Sequence, residues 1–184
     1  MRGDPGFTEL MERRFAGVAF VGQHARAGSR GGVMAHSFSS LGIQTMLLNG
    51  KPVGEIETRA ALAGWFDTPV IFLSGDQQAA ADLHAIVPQA ETAAVKEGLS
   101  NYACISLSAE AARTLIRENA VRAMHKIGHI PPYRVPGPVS LQIEYTTRNA
   151  LPVDIPEGAE LLDARTIRYT GKNFLDVWKR YRGK

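Results

Sequence analysis

Two histidines and a glutamate carry the most useful chemistry in this chain. His24 falls just past the apolar run Val18-Ala19-Phe20-Val21, and His36 follows a loop holding Gly28, Gly31 and Gly32. Glu55 opens a helical stretch after the tight reversal Asn49-Gly50. Neutral imidazole with carboxylate is an ordinary ligand set for zinc. In open α/β sheets ligands settle beyond the carboxyl ends of strands, which is where His24 belongs. Each residue also has a plainer reading. A histidine at a strand end can simply hydrogen-bond its neighbours, and a carboxylate suits a helix N-terminus.

The other reactive side chains offer less. His125 and His129 are four apart, but Gly128 between them reads as a helix end, where a histidine complements the macrodipole. His84 has only Asp82 near it in sequence and reads as surface. Cys104, the single cysteine, lies between Ala103 and Ile105 with nothing to activate it, and it excludes an internal disulfide or a thiolate-rich metal site. The Gly28–Gly32 loop could cradle a phosphate, yet it lacks both the GxxxxGK[ST] and the GxGxxG contexts.

The elements that must position these residues can be read from pattern. Val18–Val21 is a buried strand, and Gln44–Leu48 is a second, returning through Asn49-Gly50 to Lys51–Val53. A helix runs from Gly54 to Phe66 with Ile56, Ala60, Ala63 and Gly64 on one face, and Thr68-Pro69 stops it. Val70–Leu73 is a strand, and Asp76 caps a helix that Pro88 ends near Val87. Thr92–Val95 is a strand, and Ser108 starts a helix to about Lys126. After Pro131, Pro132, Pro136 and Pro138 come alternating stretches at Val139–Tyr145 and Leu161–Tyr169, then a helix at Asn173–Arg182. The expectation is an α/β fold, a mainly parallel sheet flanked by helices (residues 1–130), with a small C-terminal α+β appendage (131–184) packed on it.

Composition bounds the function class. With 184 residues, 45% hydrophobic and 21% charged, the chain has the balance of one globular unit. No apolar run approaches the roughly 18 residues of a membrane span, and Met1-Arg2-Gly3-Asp4-Pro5 lacks a secretory h-region. A cytoplasmic location is expected. The net charge of +3 is uneven: Arg165–Lys184 holds seven Lys/Arg against Asp176, and the rest of the chain is acidic by −3. That is a basic tail and not a nucleic-acid face, so no nucleic-acid partner is expected.

Several runs together resemble the DppA-like zinc D-aminopeptidases. They are Val21-Gly22-Gln23-His24-Ala25-Arg26-Ala27, Gly32-Val33-Met34-Ala35-His36-Ser37, Leu48-Asn49-Gly50-Lys51-Pro52-Val53-Gly54-Glu55, Val70-Ile71-Phe72-Leu73-Ser74-Gly75-Asp76, and Thr92-Ala93-Ala94-Val95-Lys96-Glu97-Gly98-Leu99-Ser100. Order and spacing both fit, over nearly the whole chain.

The resemblance implies a binuclear zinc aminopeptidase acting on short peptides with an N-terminal D-residue. It implies His24 and Glu55 as metal ligands, His36 as the catalytic histidine, and a homo-oligomer, a decameric ring in the best-known case. The family's Asp-x-Glu pair and a further metal histidine belong to an N-terminal segment these residues do not match; Asp4, Glu9 and Glu12 do not replace them. The expectation is therefore a truncated core with weakened metal binding, and an open sheet edge at Val18–Val21 that favours association. Two readings of other classes stand beside it: a non-catalytic assembly subunit, and a small-molecule binder using the glycine loop.

Overall fold

Val18-Ala19-Phe20-Val21 becomes the body of strand β1 (Val18–Gln23), preceded by helix α1 (Pro5–Met11), in a computed structural model that describes residues 5–182. Met1–Asp4 and the last two residues of the basic tail lie outside the described residues. β1 runs parallel to β4 (Val70–Asp76), and β4 runs parallel to β5 (Glu91–Ser100). The hairpin partner β6 (Ala103–Ser106) adds an antiparallel edge and completes a sheet of order β1-β4-β5-β6. All seven residues of β4 are buried. A strand flanked on both sides and covered on both faces has no polar side to show, so its first four residues, Val70–Leu73, read as an unbroken apolar run before Ser74 and Asp76 turn to polar tasks at its end.

Helix α3 (Gln77–Ile86) starts where sequence places it: the Asp76 carboxylate accepts the Ala79 N–H at 2.7 Å. Ser108 does the same for α4 (Ala109–His125), accepting from Ala111 N. Asn49 and Gly50, with φ of 49° and 77°, make the reversal between β2 (Ile43–Leu48) and β3 (Lys51–Pro52). Helix α2 (Glu55–Trp65) follows directly.

The second sheet is antiparallel, of order β3-β2-β7-β9-β8, with β7 (Val139–Tyr145), β8 (Ala159–Asp163) and β9 (Thr166–Gly171). Two features depart from the sequence reading. The Gln44–Leu48 strand joins this sheet, pairing with β7, instead of the parallel one. Leu161–Tyr169 is two strands joined by a turn at Ala164-Arg165, where Asp163 Oδ1 accepts the Arg165 N–H at 2.8 Å. β7 alternates buried and half-buried residues along its length, the signature of a sheet with one covered face. Helix α5 (Phe174–Arg182) packs Phe174, Val177 and Trp178 onto that face.

The architecture is thus mixed α/β, a mostly parallel sheet flanked by helices beside an antiparallel one. Each sheet has its own apolar core, and α2 serves both. Ile56 and Ala60 pack with the first, Ala61 and Leu62 with the second. Glu55 is the first residue of that shared helix.

Candidate metal centre

His24, His36 and Glu55 come together at the carboxyl end of the parallel strands. One ligand atom from each lies within 4.8 Å of the others, and this is the one such trio among the described residues. His24 leaves the end of β1, and Glu55 opens α2. His36 sits on the loop between β1 and β2, which doubles back so that His36 N–H donates to Ala25 O at 3.2 Å. The imidazoles stack, centroids 3.9 Å apart and 17° from parallel.

Hydrogen bonding orients both rings. His24 Nδ1 lies 3.0 Å from Ala25 O, and His36 Nδ1 lies 2.7 Å from Met34 O. A carbonyl only accepts, so each Nδ1 must carry the proton, and each Nε2 keeps its lone pair in the neutral ring. That is the arrangement metal-binding histidines use, with the distal nitrogen anchored to the backbone. His24 Nε2 stands 3.8 Å from Glu55 Oε1, too far for a hydrogen bond. Two ligands across a tetrahedral zinc sit about 3.4 Å apart, so a small contraction accommodates the ion.

Glu55 is held from one side and open on the other. Oε1 accepts the Phe38 N–H at 2.6 Å, whereas Oε2 is buried without a hydrogen-bond partner. The side chain is only 13% exposed. A buried carboxylate oxygen left unsatisfied is costly unless a cation or proton meets it. The donor chemistry, the ring orientation and this orphaned oxygen all fit zinc.

The loop that carries His36 is shaped by buried polar anchors. Ser37, fully buried, accepts the Ala27 N–H at 3.1 Å. Asp76, 3% exposed, uses Oδ1 to cap α3 and Oδ2 to accept Val33 N–H at 3.0 Å, tying the strand end to the loop. Met34 and Phe38 bracket His36 with φ of 53° and 56°, a left-handed conformation that non-glycine residues hold only when their surroundings demand it. Gly54 is required by close approach, since a Cβ there would come within 2.7 Å of Arg26 Cβ. Gly32 is packed similarly against Ala25.

Asp76 was legible in the sequence as a helix cap but not as the tether of the His36 loop. Ser37 was missed altogether. Glu57 was missed too: 7% exposed, it accepts Gly54 N–H at 2.8 Å. Burial raises its carboxyl above the ordinary range and the Asp82 charge adds to this, while backbone hydrogen bonds and Arg26 pull the other way. The remaining histidines stay apart from the trio. His84 Nε2 bonds Ala90 O at 3.1 Å, and His125 ends α4 with Gly128 beyond it at φ 84°. Cys104 lies half-buried on β6, opposite Gly98.

A family model described as D-aminopeptidase matches residues 3–182. The D-aminopeptidase of Bacillus subtilis (strain 168) is 32% identical over 174 residues, which are 94% of this chain and 63% of that protein. The solved structure of the Zn-dependent D-aminopeptidase DppA from Bacillus subtilis, described as a self-compartmentalizing protease, superposes with a TM-score of 0.79 at 31% identity. That match covers 91% of this chain and 61% of the other. The chain thus spans about three fifths of the length of these relatives.

Proposed function

The chain belongs to the D-aminopeptidase family, and from that premise we propose that it is a zinc-dependent aminopeptidase of short peptides beginning with a D-residue. The observation that carries the reading is the trio itself: two imidazoles with free Nε2 atoms facing a buried carboxylate whose second oxygen has no partner.

His24 Nε2 and the Glu55 carboxylate would hold the metal. Bound zinc supplies a Lewis acid and makes water a usable nucleophile near neutral pH. The Phe38 N–H fixes the Glu55 carboxylate, and α2 presents it from a rigid first turn. His36, its Nδ1 proton committed to Met34 O, takes a proton at Nε2 from the attacking water and returns it to the departing amine. Stacking on His24 fixes the plane of the His36 ring beside the proposed metal ligand.

A second assignment has its own support. Two histidines and one glutamate are also a complete catalytic zinc set with an open position, which makes His36 the third ligand. A second zinc ion would need donors beyond this trio. As the relative is a self-compartmentalizing protease, we also propose that the chain associates with copies of itself, in the cytoplasm. No helix among the described residues is long and apolar enough to cross a membrane.

Zinc per chain, measured by elemental analysis after dialysis against metal-free buffer, tests the reading together with D-alanine release from D-alanyl-D-alanine. Retained zinc and released D-alanine are expected. Zinc lost from His24→Ala and Glu55→Ala, but kept by an inactive His36→Ala, assigns the proton shuttle; zinc lost from all three makes His36 a ligand. No zinc and no release from the unaltered chain sinks the peptidase reading and leaves a scaffold.

A further inference from the structure

Phe38 faces two places at once. Its N–H holds Glu55, and its ring forms one wall of a cavity of about 470 Å³ between the start of β2, the segment after β7 and the end of α5. Tyr145, Tyr169, Leu151 and Tyr181 continue the wall, and Arg182 closes it. The volume lies in the lower half of the range for small-ligand sites, and a lining that mixes aromatic and aliphatic side chains with a few polar groups is a usual composition for them.

The cationic end of this cavity is unusual. Arg180 is committed, its Nε donating to Asp176 Oδ1 at 3.1 Å. Arg182 is in none of the ion pairs among the described residues. Its guanidinium carbon instead sits 5.7 Å from the ring centroids of Phe38 and Trp178, and 5.8 Å from that of Tyr181. Ring faces engage the flat sides of a guanidinium. Part of the guanidinium also meets the Tyr181 phenol, and its remaining N–H donors are the ones open to a carboxylate. Burial pushes the Tyr181 phenol up to about 12, so it stays neutral beside the arginine.

Phe38 therefore stands between opposite charges: its N–H holds the Glu55 carboxylate beside the histidines, outside the cavity, and its ring carries Arg182 on the cavity side. A free short peptide is a zwitterion with an ammonium at one end and a carboxylate at the other. We infer that the Phe38–Tyr181–Arg182 cavity is the subsite for the part of the substrate beyond the scissile bond, with Arg182 receiving the C-terminal carboxylate of a di- or tripeptide. This rests on the aminopeptidase reading and adds to it a length limit and a requirement for a free C-terminus.

The test titrates the zinc-free full chain with D-alanyl-D-alanine and with its C-terminal amide, following chemical shifts by nuclear magnetic resonance. Without zinc neither ligand is cleaved, so two dissociation constants result. Charge-assisted hydrogen bonds predict that the acid binds at least about 10-fold more tightly than the amide. Arg182→Gln brings the acid down to the amide's level. Arg182→Lys, which keeps the charge without the fork, retains part of the preference and serves if the glutamine variant does not fold. Equal binding of acid and amide, binding of neither, or a preference unchanged in the variants overturns the subsite. Zinc retention, measured on the same preparation before the metal is stripped, fails separately: a carboxylate preference in a chain that never held zinc keeps the subsite and removes the zinc reading.

Discussion

Asp76 joins two functions in one carboxylate, and removing them one at a time measures each. Asp76→Ala deletes both the cap of α3 and the acceptor for Val33 N–H. Loss of an N-cap costs about 0.5–2 kcal/mol. Loss of a charge-assisted hydrogen bond to a part-buried N–H costs about 1.5–3 kcal/mol. Together they predict about 2–5 kcal/mol, a large share of the roughly 5–15 kcal/mol that holds an ordinary domain together. Asp76→Ser keeps a capping oxygen but is too short to reach the loop, so it loses only the second part, about 1.5–3 kcal/mol. Urea unfolding followed by circular dichroism gives both values, and zinc affinity by chelator competition reports whether the His36 loop has loosened. Both variants are expected to bind zinc more weakly, and alanine is expected to be the less stable of the two. A loss under about 1 kcal/mol in either variant, or equal losses in both, refutes the two-bond account.

Glu57→Gln tests burial of a carboxyl group. Its folded pKa is raised above the ordinary 4.5, so its contribution is full below that value and is lost as pH rises through the folded value. The wild type is expected to lose stability with rising pH in that window and the glutamine variant to lack that slope, being the more stable at pH 7; identical slopes in urea titrations contradict it. Gly75→Ala places a Cβ against the Gln23 carbonyl, backbone against which little can yield, and forces β1 from β4 beside His24. The expected cost is about 1–3 kcal/mol with weaker zinc retention, and an unchanged melting temperature argues against it. Val21 is exposed on β1, a strand at the sheet edge among the described residues, so Val21→Lys is expected to reduce association measured by light scattering.

Local signals in the sequence were reliable where a local interaction decides the structure. The caps at Asp76 and Ser108 and the reversal at Asn49-Gly50 follow from side-chain reach and left-handed backbone alone. The β2 strand shows why the rest was not legible. Its apolar pattern is the same in either sheet, and its partner β7 lies about a hundred residues later. The β8–β9 turn at Ala164-Arg165 carries no glycine, asparagine or proline; the Asp163 side chain makes the bend, so a hairpin reads as one strand. Within the site, His24, His36 and Glu55 could be named from residue type and resemblance. Their meeting could not, because it depends on the doubled loop that Ser37 and the second oxygen of Asp76 hold in place.

Helix α2 ties the stability of the two sheets to a single event. With Ile56 and Ala60 seated in one core and Ala61 and Leu62 in the other, neither sheet can open without uncovering a face of the same helix. The described residues should then melt in one cooperative transition, and amide hydrogens of β4 and β7 should exchange with similar protection. A metal ion held at Glu55 would brace the first turn of that helix. Its binding free energy would then protect β7, on the far sheet, as much as β4 beneath the site, and zinc at 100 times its dissociation constant would add about 2.7 kcal/mol to both.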